Sequence, residues 1–322
     1  MSANPTESGE VKSQNIGILI TNPRKPQDQK MMPEIETQQR TFFFLESCGR
    51  TATNWIAEAI NRHPDVFTTH GIDVTPVTVD RTLTPDFKRP PDTALRSEAD
   101  LHLDDYFDIL EGQREESVIG SIHGYNAAVP YLNPGTYRRH YRIATVTRHP
   151  VIRTVSMQNQ ILKSFNNAES ARDRIIARNR SFVETNLPAS PEYLELLRTA
   201  KFDIDSPHDM AFILSILAIR NRDSVNFCSG MPIYLMERLT NEIDNFCHIF
   251  HFITEKRVFL SESFLDAVLK QPKRFASATE RAGFIQYKGW TEWQRRLFIL
   301  AMEHENLGGA YDALGYDMSY VC

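Results

Sequence analysis

Thr41-Phe42-Phe43-Phe44-Leu45 runs directly into Glu46-Ser47-Cys48-Gly49-Arg50-Thr51-Ala52-Thr53-Asn54-Trp55. The first five residues form a continuous apolar run of strand length. A run without alternation suits a strand covered on both faces, as in a parallel sheet. The next five are polar and contain a glycine, which predicts a turn. A helix is predicted from near Thr51 to about Arg62, with Trp55, Ile56, Ala59 and Ile60 on its apolar face and Pro64 stopping it. Strand, short glycine-containing loop and helix is the layout of a phosphate cradle. Backbone N–H groups at a helix start, and the helix dipole, favour an anion there. Arg50 adds a fixed positive charge, and Thr51 and Thr53 add hydroxyl donors. A Gly-Lys-Thr nucleotide loop carries another glycine five positions before the position of Gly49. That position is Phe44, inside the strand, so this is not an ordinary ATP or GTP loop.

Outward from this element, strands are predicted at Ser117–His123, Arg142–Thr147 and Ile233–Met236. Helices are predicted over 99–112, 150–166, 168–185, 191–200, 207–228, 238–252, 260–270 and 291–313. Strands interleaved with helices predict an α/β fold, a single domain over 41–322 with a central, mostly parallel sheet flanked by helices. Residues 1–40 are polar and hold Pro5, Pro23, Pro26 and Pro33, which reads as a flexible N-terminal arm. Residues 72–98 hold Pro76, Pro85, Pro90 and Pro91 and read as a long loop. Such a loop in a compact domain often serves as a lid or a substrate wall.

Composition narrows the function classes. The chain has 322 residues, 41% of them hydrophobic, enough to bury a sizeable core. Thirty-six Lys+Arg against 41 Asp+Glu gives a net charge of −5, which argues against a general nucleic-acid binder. Four cysteines stand apart, at 48, 228, 247 and 322. They form neither a disulfide framework nor a zinc motif, so a reducing cytoplasm is the expected compartment. The longest apolar stretch, Met210 to Ile219, is half the length of a membrane span, and no membrane partner is expected. A homodimer is compatible with the sequence.

A second basic element follows the strand Arg142–Thr147. The chain continues Arg148-His149-Pro150, and Ser156 falls about two turns into the next helix, where Pro150 suits the first position. Arg148 is placed to grip a phosphate at the strand end, and Ser156 to donate from the helix. The strand itself has no acid. ATP chemistry in such folds needs Mg²⁺, usually held in part by an acid at a neighbouring strand end. The pattern suits a nucleotide held by basic groups with no metal required.

Taken together, the two elements resemble the sulfotransferase family that uses 3′-phosphoadenosine 5′-phosphosulfate (PAPS). The family has a strand-loop-helix with Lys or Arg, then Ser/Thr-Gly-Thr-Thr, then often Trp. Here this is Arg50-Thr51-Ala52-Thr53-Asn54-Trp55. The family also has a strand ending in Arg with a Ser eight residues on, here Arg148 and Ser156. Asn61-Arg62-His63-Pro64-Asp65-Val66 looks like the family's helix exit. Lys288-Gly289-Trp290, followed by a helix and Leu314-Gly315-Tyr316, resembles its final segment. Two positions depart from the pattern: Ala52 replaces the usual Gly, and Asn54 a common Thr. Ala52 is poor at positive φ, so the loop geometry is expected to differ.

The resemblance implies a soluble, small-molecule type of sulfotransferase with a P-loop-like architecture. It would move a sulfonate group in line from PAPS to a hydroxyl or amine of a small acceptor, such as a metabolite or natural product, leaving 3′,5′-ADP. Arg50 and the backbone around Thr51, Ala52 and Thr53 would stabilise the leaving phosphate oxygen. Arg148, Ser156, Lys288 and the Gly289 backbone would bind the 3′-phosphate. Trp55 either stacks on adenine, as the matching family residue does, or serves as a core aromatic. An acceptor hydroxyl needs a base. His123, at the end of its strand, matches the family's histidine, and a neutral imidazole accepts a proton at neutral pH. His70 is the runner-up and Glu46 a third candidate. Two other classes stand beside this one: a P-loop kinase, and an inactive relative that only binds the nucleotide.

Overall fold

The computed structural model describes residues 40–46, 53–70, 103–122, 128–166, 191–200, 202–203, 205–271 and 280–321, with single positions between 177 and 183. These belong to one unit, Gln38–Cys322. The arm up to residue 39, the loop 72–98 and most of the helix expected over 168–185 lie outside the described residues.

Among the described residues, five strands form one all-parallel sheet in the order β2-β3-β1-β4-β5. They are β1 (Thr41–Glu46), β2 (Val66–His70), β3 (Val118–Ile122), β4 (Tyr141–Thr147) and β5 (Ile233–Leu235). The α/β class and mostly parallel sheet expected from the sequence are present. Every residue of β1 is buried, because it is the central strand with helices on both faces. Its side chains divide by the two-residue period of a strand. Phe43 and Leu45 pack with Trp55, Ile56 and Ile60 of α1 (Thr53–Ile60). Phe42 and Phe44 pack with Tyr106, Phe107 and Leu110 of α2 (Leu103–Gln113). Phe43 pairs in register with Gly120 of β3. A Cβ at Gly120 would collide with the Phe43 ring, so glycine is required there.

The remaining elements build a third cluster beyond β4. A short helix, α3 (Ala128–Leu132), precedes β4. After β4 come α4 (Pro150–Asn166), α5 (Pro191–Thr199) and α6 (Pro207–Cys228), the last capped by Ser206. Then follow α7 (Met236–Asn241), α8 (Ile243–Thr254), α9 (Glu262–Leu269), α10 (Glu280–Lys288), α11 (Glu292–Glu303) and α12 (Leu307–Ala313). The apolar stripe of α6, with Phe212, Ile213, Ile216 and Leu217, is fully in the core, as its spacing predicts. Helix α4 packs along α6, and α10 packs on α4.

Several boundaries differ from the sequence expectation. Strand β2 was not anticipated, although Val66, Phe67, Thr68 and Thr69 all favour strands. Helix 238–252 is two helices, broken at Glu242, which is extended at φ −124, ψ 110. Helix 291–313 is interrupted where Glu305 and Asn306 adopt positive φ of 51° and 56°. Helix α10 was also missed. Among the described residues, no helix is long and apolar enough to cross a membrane.

Candidate functional site

The strand order fixes where a site can form. From β1 the chain passes through α1 to β2 at the sheet edge, then returns to β3 beside β1. It next crosses to β4 on the other side of β1. The connections therefore diverge at the carboxyl end of β1, between β3 and β4. In open parallel sheets, the crevice outside such a point is the usual ligand site. Glu46 pairs with Thr145 in the β1–β4 ladder, so the carboxyl ends of β1 and β4 lie side by side.

Ser47 to Ala52, the loop with Arg50 and Thr51, lies outside the described residues, as does His123. Thr53, the next cradle residue, opens α1 and is buried. Its hydroxyl shares a 2.7 Å hydrogen bond with His70 Nε2. His70 ends β2, and β3 lies between β2 and β1, so this bond joins the sheet edge to the cradle helix. His70 thus stands against the first residue of α1, while Asn54 is exposed. Glu46 is buried and paired with Arg222 of α6 at 3.2 Å, which makes it an anchor of the strand end and a poor candidate for the base. Trp55 is buried edge-on to Phe246 at 6.0 Å, and Gln271 Nε2 donates to its carbonyl. Its indole N–H has no hydrogen-bond partner among the described residues.

Arg148 is buried at the end of β4. Burial pulls the guanidinium pKa down, and Glu237 and Tyr316 push it back up. It stays charged, since a guanidinium does not deprotonate in proteins. Glu237, in the first turn of α7, supports this corner three times. Its carboxylate lies 3.7 Å from Arg148 Nε, accepts the His149 backbone N–H at 3.3 Å, and accepts the Tyr316 hydroxyl at 2.6 Å. Pro150 starts α4 at once, so the strand end and helix start share one short turn. Ser156 is half-buried on α4. Beneath the turn, Arg153 is fully buried; it donates to Thr147 Oγ1 at 3.0 Å and to Asp223 Oδ1 at 2.7 Å. The Tyr311 hydroxyl donates to the other Asp223 oxygen. Burial raises the Tyr311 pKa well above its usual value, so it remains a donor.

Helix α10 presents Lys288 at its exposed end, with Nζ 4.3 Å from the Phe284 ring centroid. The Gly289 N–H is already donated to the carbonyls of Ile285 and Gln286. The Gly289 backbone expected as a phosphate donor therefore closes the helix instead.

Sequence reasoning missed Glu237, Arg153 and the C-terminal tyrosines. Glu237 had one signal, an acid just past the carboxyl end of a strand. Arg153 had another, a charge flanked by Val151, Ile152 and Val155.

His149 has a consequence for pH stability. Burial first, and then the Arg148 charge, push its imidazole down to about 4, with Asp317 opposing weakly. The unfolded chain protonates near pH 6.5 and the folded one only near 4. Stability is thus complete above pH 6.5 and falls as pH drops through that window, by about 3 kcal/mol from this residue. Urea unfolding at pH 7 and pH 4 should show that much less acid loss in His149→Gln. Equal losses in both proteins would contradict the assignment.

The described groups at and after these strand ends are Arg148, Ser156 on α4 and the Thr53 hydroxyl at the start of α1, and the Trp55 indole N–H has no hydrogen-bond partner among the described residues. Such groups fit a phosphorylated nucleotide with an aromatic base. Comparison of the chain with protein-family models, curated proteins and solved structures returns no match.

Proposed function

We propose that the chain is a P-loop-like sulfotransferase, taking a sulfonate group from PAPS to a hydroxyl or amine nitrogen of a small metabolite or natural product. One observation supports this reading: the β1–β4 pairing sets the carboxyl end of β1, which precedes Arg50 in the sequence, beside the carboxyl end of β4, which leads into Arg148, at the switch point of the sheet. Sequence proximity could not have done so, since Arg50 and Arg148 lie about a hundred residues apart.

In this reading Arg148 and Ser156 hold the 3′-phosphate, with Lys288 beside them. Arg50 and the backbone N–H groups of the cradle hold the phosphate oxygens that gain charge. Thr53, fixed by His70, completes the cradle. Bound PAPS supplies the sulfonate. The acceptor's proton passes to a histidine, His123 in the lead assignment and His70 in the alternative. Trp55, packed in the core against Phe246, takes the core-aromatic role of the two open to it.

The test is transfer from radiolabelled PAPS across a panel of small alcohols, phenols and amines. Labelled product appearing with stoichiometric 3′,5′-ADP supports the reading. Tight binding of 3′,5′-ADP with no transfer across the panel would favour an inactive relative.

A further inference from the structure

The two cations assigned to one phosphate, Arg148 and Lys288, sit on different elements, the end of β4 and the end of α10. A continuous chain of aromatic contacts joins them. The Lys288 ammonium rests on the Phe284 ring at 4.3 Å. Phe284 meets Tyr320 edge-on at 5.4 Å. Tyr320 stacks on His149 with 7° between the rings and 6.2 Å between centroids, and its hydroxyl lies 3.0 Å from His149 Nε2. His149 is the chain neighbour of Arg148. Tyr287, also on α10, packs against Tyr320 at 5.5 Å. Gly283 makes the close approach feasible: a Cβ there would stand 2.9 Å from His149 Cε1 and 3.1 Å from the Tyr320 hydroxyl.

Taking the donor assignment above as the basis, we propose that Tyr320 is a positioning residue, a C-terminal clasp that sets the spacing of Lys288 and Arg148 around the 3′-phosphate. Two cations on separate elements bind one dianion well only if their separation is fixed in advance, because ordering them on binding costs affinity. The β4 end is rigid by itself, held by Glu237 and by the Arg153–Asp223 pair. Helix α10 carries exposed Phe284 and Ile285 and depends on packing for its place. Tyr320, in the tail, touches both α10 and His149.

The experiment is equilibrium titration of the full chain with 3′,5′-ADP and with 5′-AMP, which lacks the 3′-phosphate. Wild type is expected to prefer 3′,5′-ADP. Tyr320→Ala should lower that preference about tenfold or more while 5′-AMP affinity stays within about twofold. Tyr320→Phe, which keeps the ring packing, should lose a smaller part. Gly283→Ala raises helix propensity yet wedges the clasp apart, and should lose the preference without unfolding. Lys288→Ala should add little in the Tyr320→Ala background, since both act on one contact. Equal weakening of both nucleotides, or additive effects of Tyr320→Ala and Lys288→Ala, would overturn the clasp and leave the donor reading standing. Wild type that binds neither nucleotide would overturn the donor reading and the clasp's phosphate role with it.

Discussion

Asp223→Ala is expected to destabilise the fold by about 3–5 kcal/mol, because it strands the Arg153 guanidinium in the core without its counter-charge. Both side chains are essentially solvent-free, so water cannot take over. A surface pair gives the contrast: Glu195 and Arg198 on α5 are mostly exposed, and Glu195→Ala should leave the unfolding midpoint close to wild type. Denaturant unfolding separates the two cases through the midpoint at constant slope. The cost reaches the site as well, since the same guanidinium holds Thr147, the last residue of β4. A loss under about 1 kcal/mol in Asp223→Ala would mean that the buried pair is not the anchor of the strand end.

His123→Ala is expected to remove transfer by about 10²–10⁴-fold while nucleotide affinity stays near wild type, if His123 takes the acceptor's proton. His70→Ala should behave differently. Its imidazole bonds to Thr53 in the cradle, so its loss should weaken nucleotide binding along with turnover. Steady-state rates and 3′,5′-ADP affinity, measured on both variants, distinguish the roles. Full activity in His123→Ala would transfer the proton-accepting role to His70.

What the sequence revealed and what it hid follow from how each element is stabilised. Strand β1 is legible because a strand covered on both faces must be apolar throughout, and Phe42 to Leu45 are. Strand β2 is not, because Thr68 and Thr69 are polar by type and buried through partners elsewhere. Asn61 bonds to the Thr68 backbone, and the Thr69 hydroxyl bonds to Ser121 and Tyr106. The break at Glu305 and Asn306 is silent because neither is glycine, although positive φ normally favours it.

Arg148 and Lys288 are legible in the sequence as charges within motifs that resemble the sulfotransferase pattern. Their supports are not. Glu237 lies some ninety residues from Arg148, and Tyr316 and Tyr320 come from the far C-terminus. Only the parallel sheet order brings these segments to one corner, and single-sequence periodicity carries no information about strand order. The buried Arg153–Asp223–Tyr311 set is hidden for the same reason: each partner sits on a different helix.

Calorimetric titration with 3′,5′-ADP, run beside 5′-ADP and Mg-ATP and with and without EDTA, bears most directly on the donor assignment. Micromolar or tighter binding of 3′,5′-ADP alone, unchanged by chelation and lost in Arg148→Ala, is the predicted result. Preference for Mg-ATP that disappears with EDTA would contradict it and make the chain a phosphoryl-transfer enzyme.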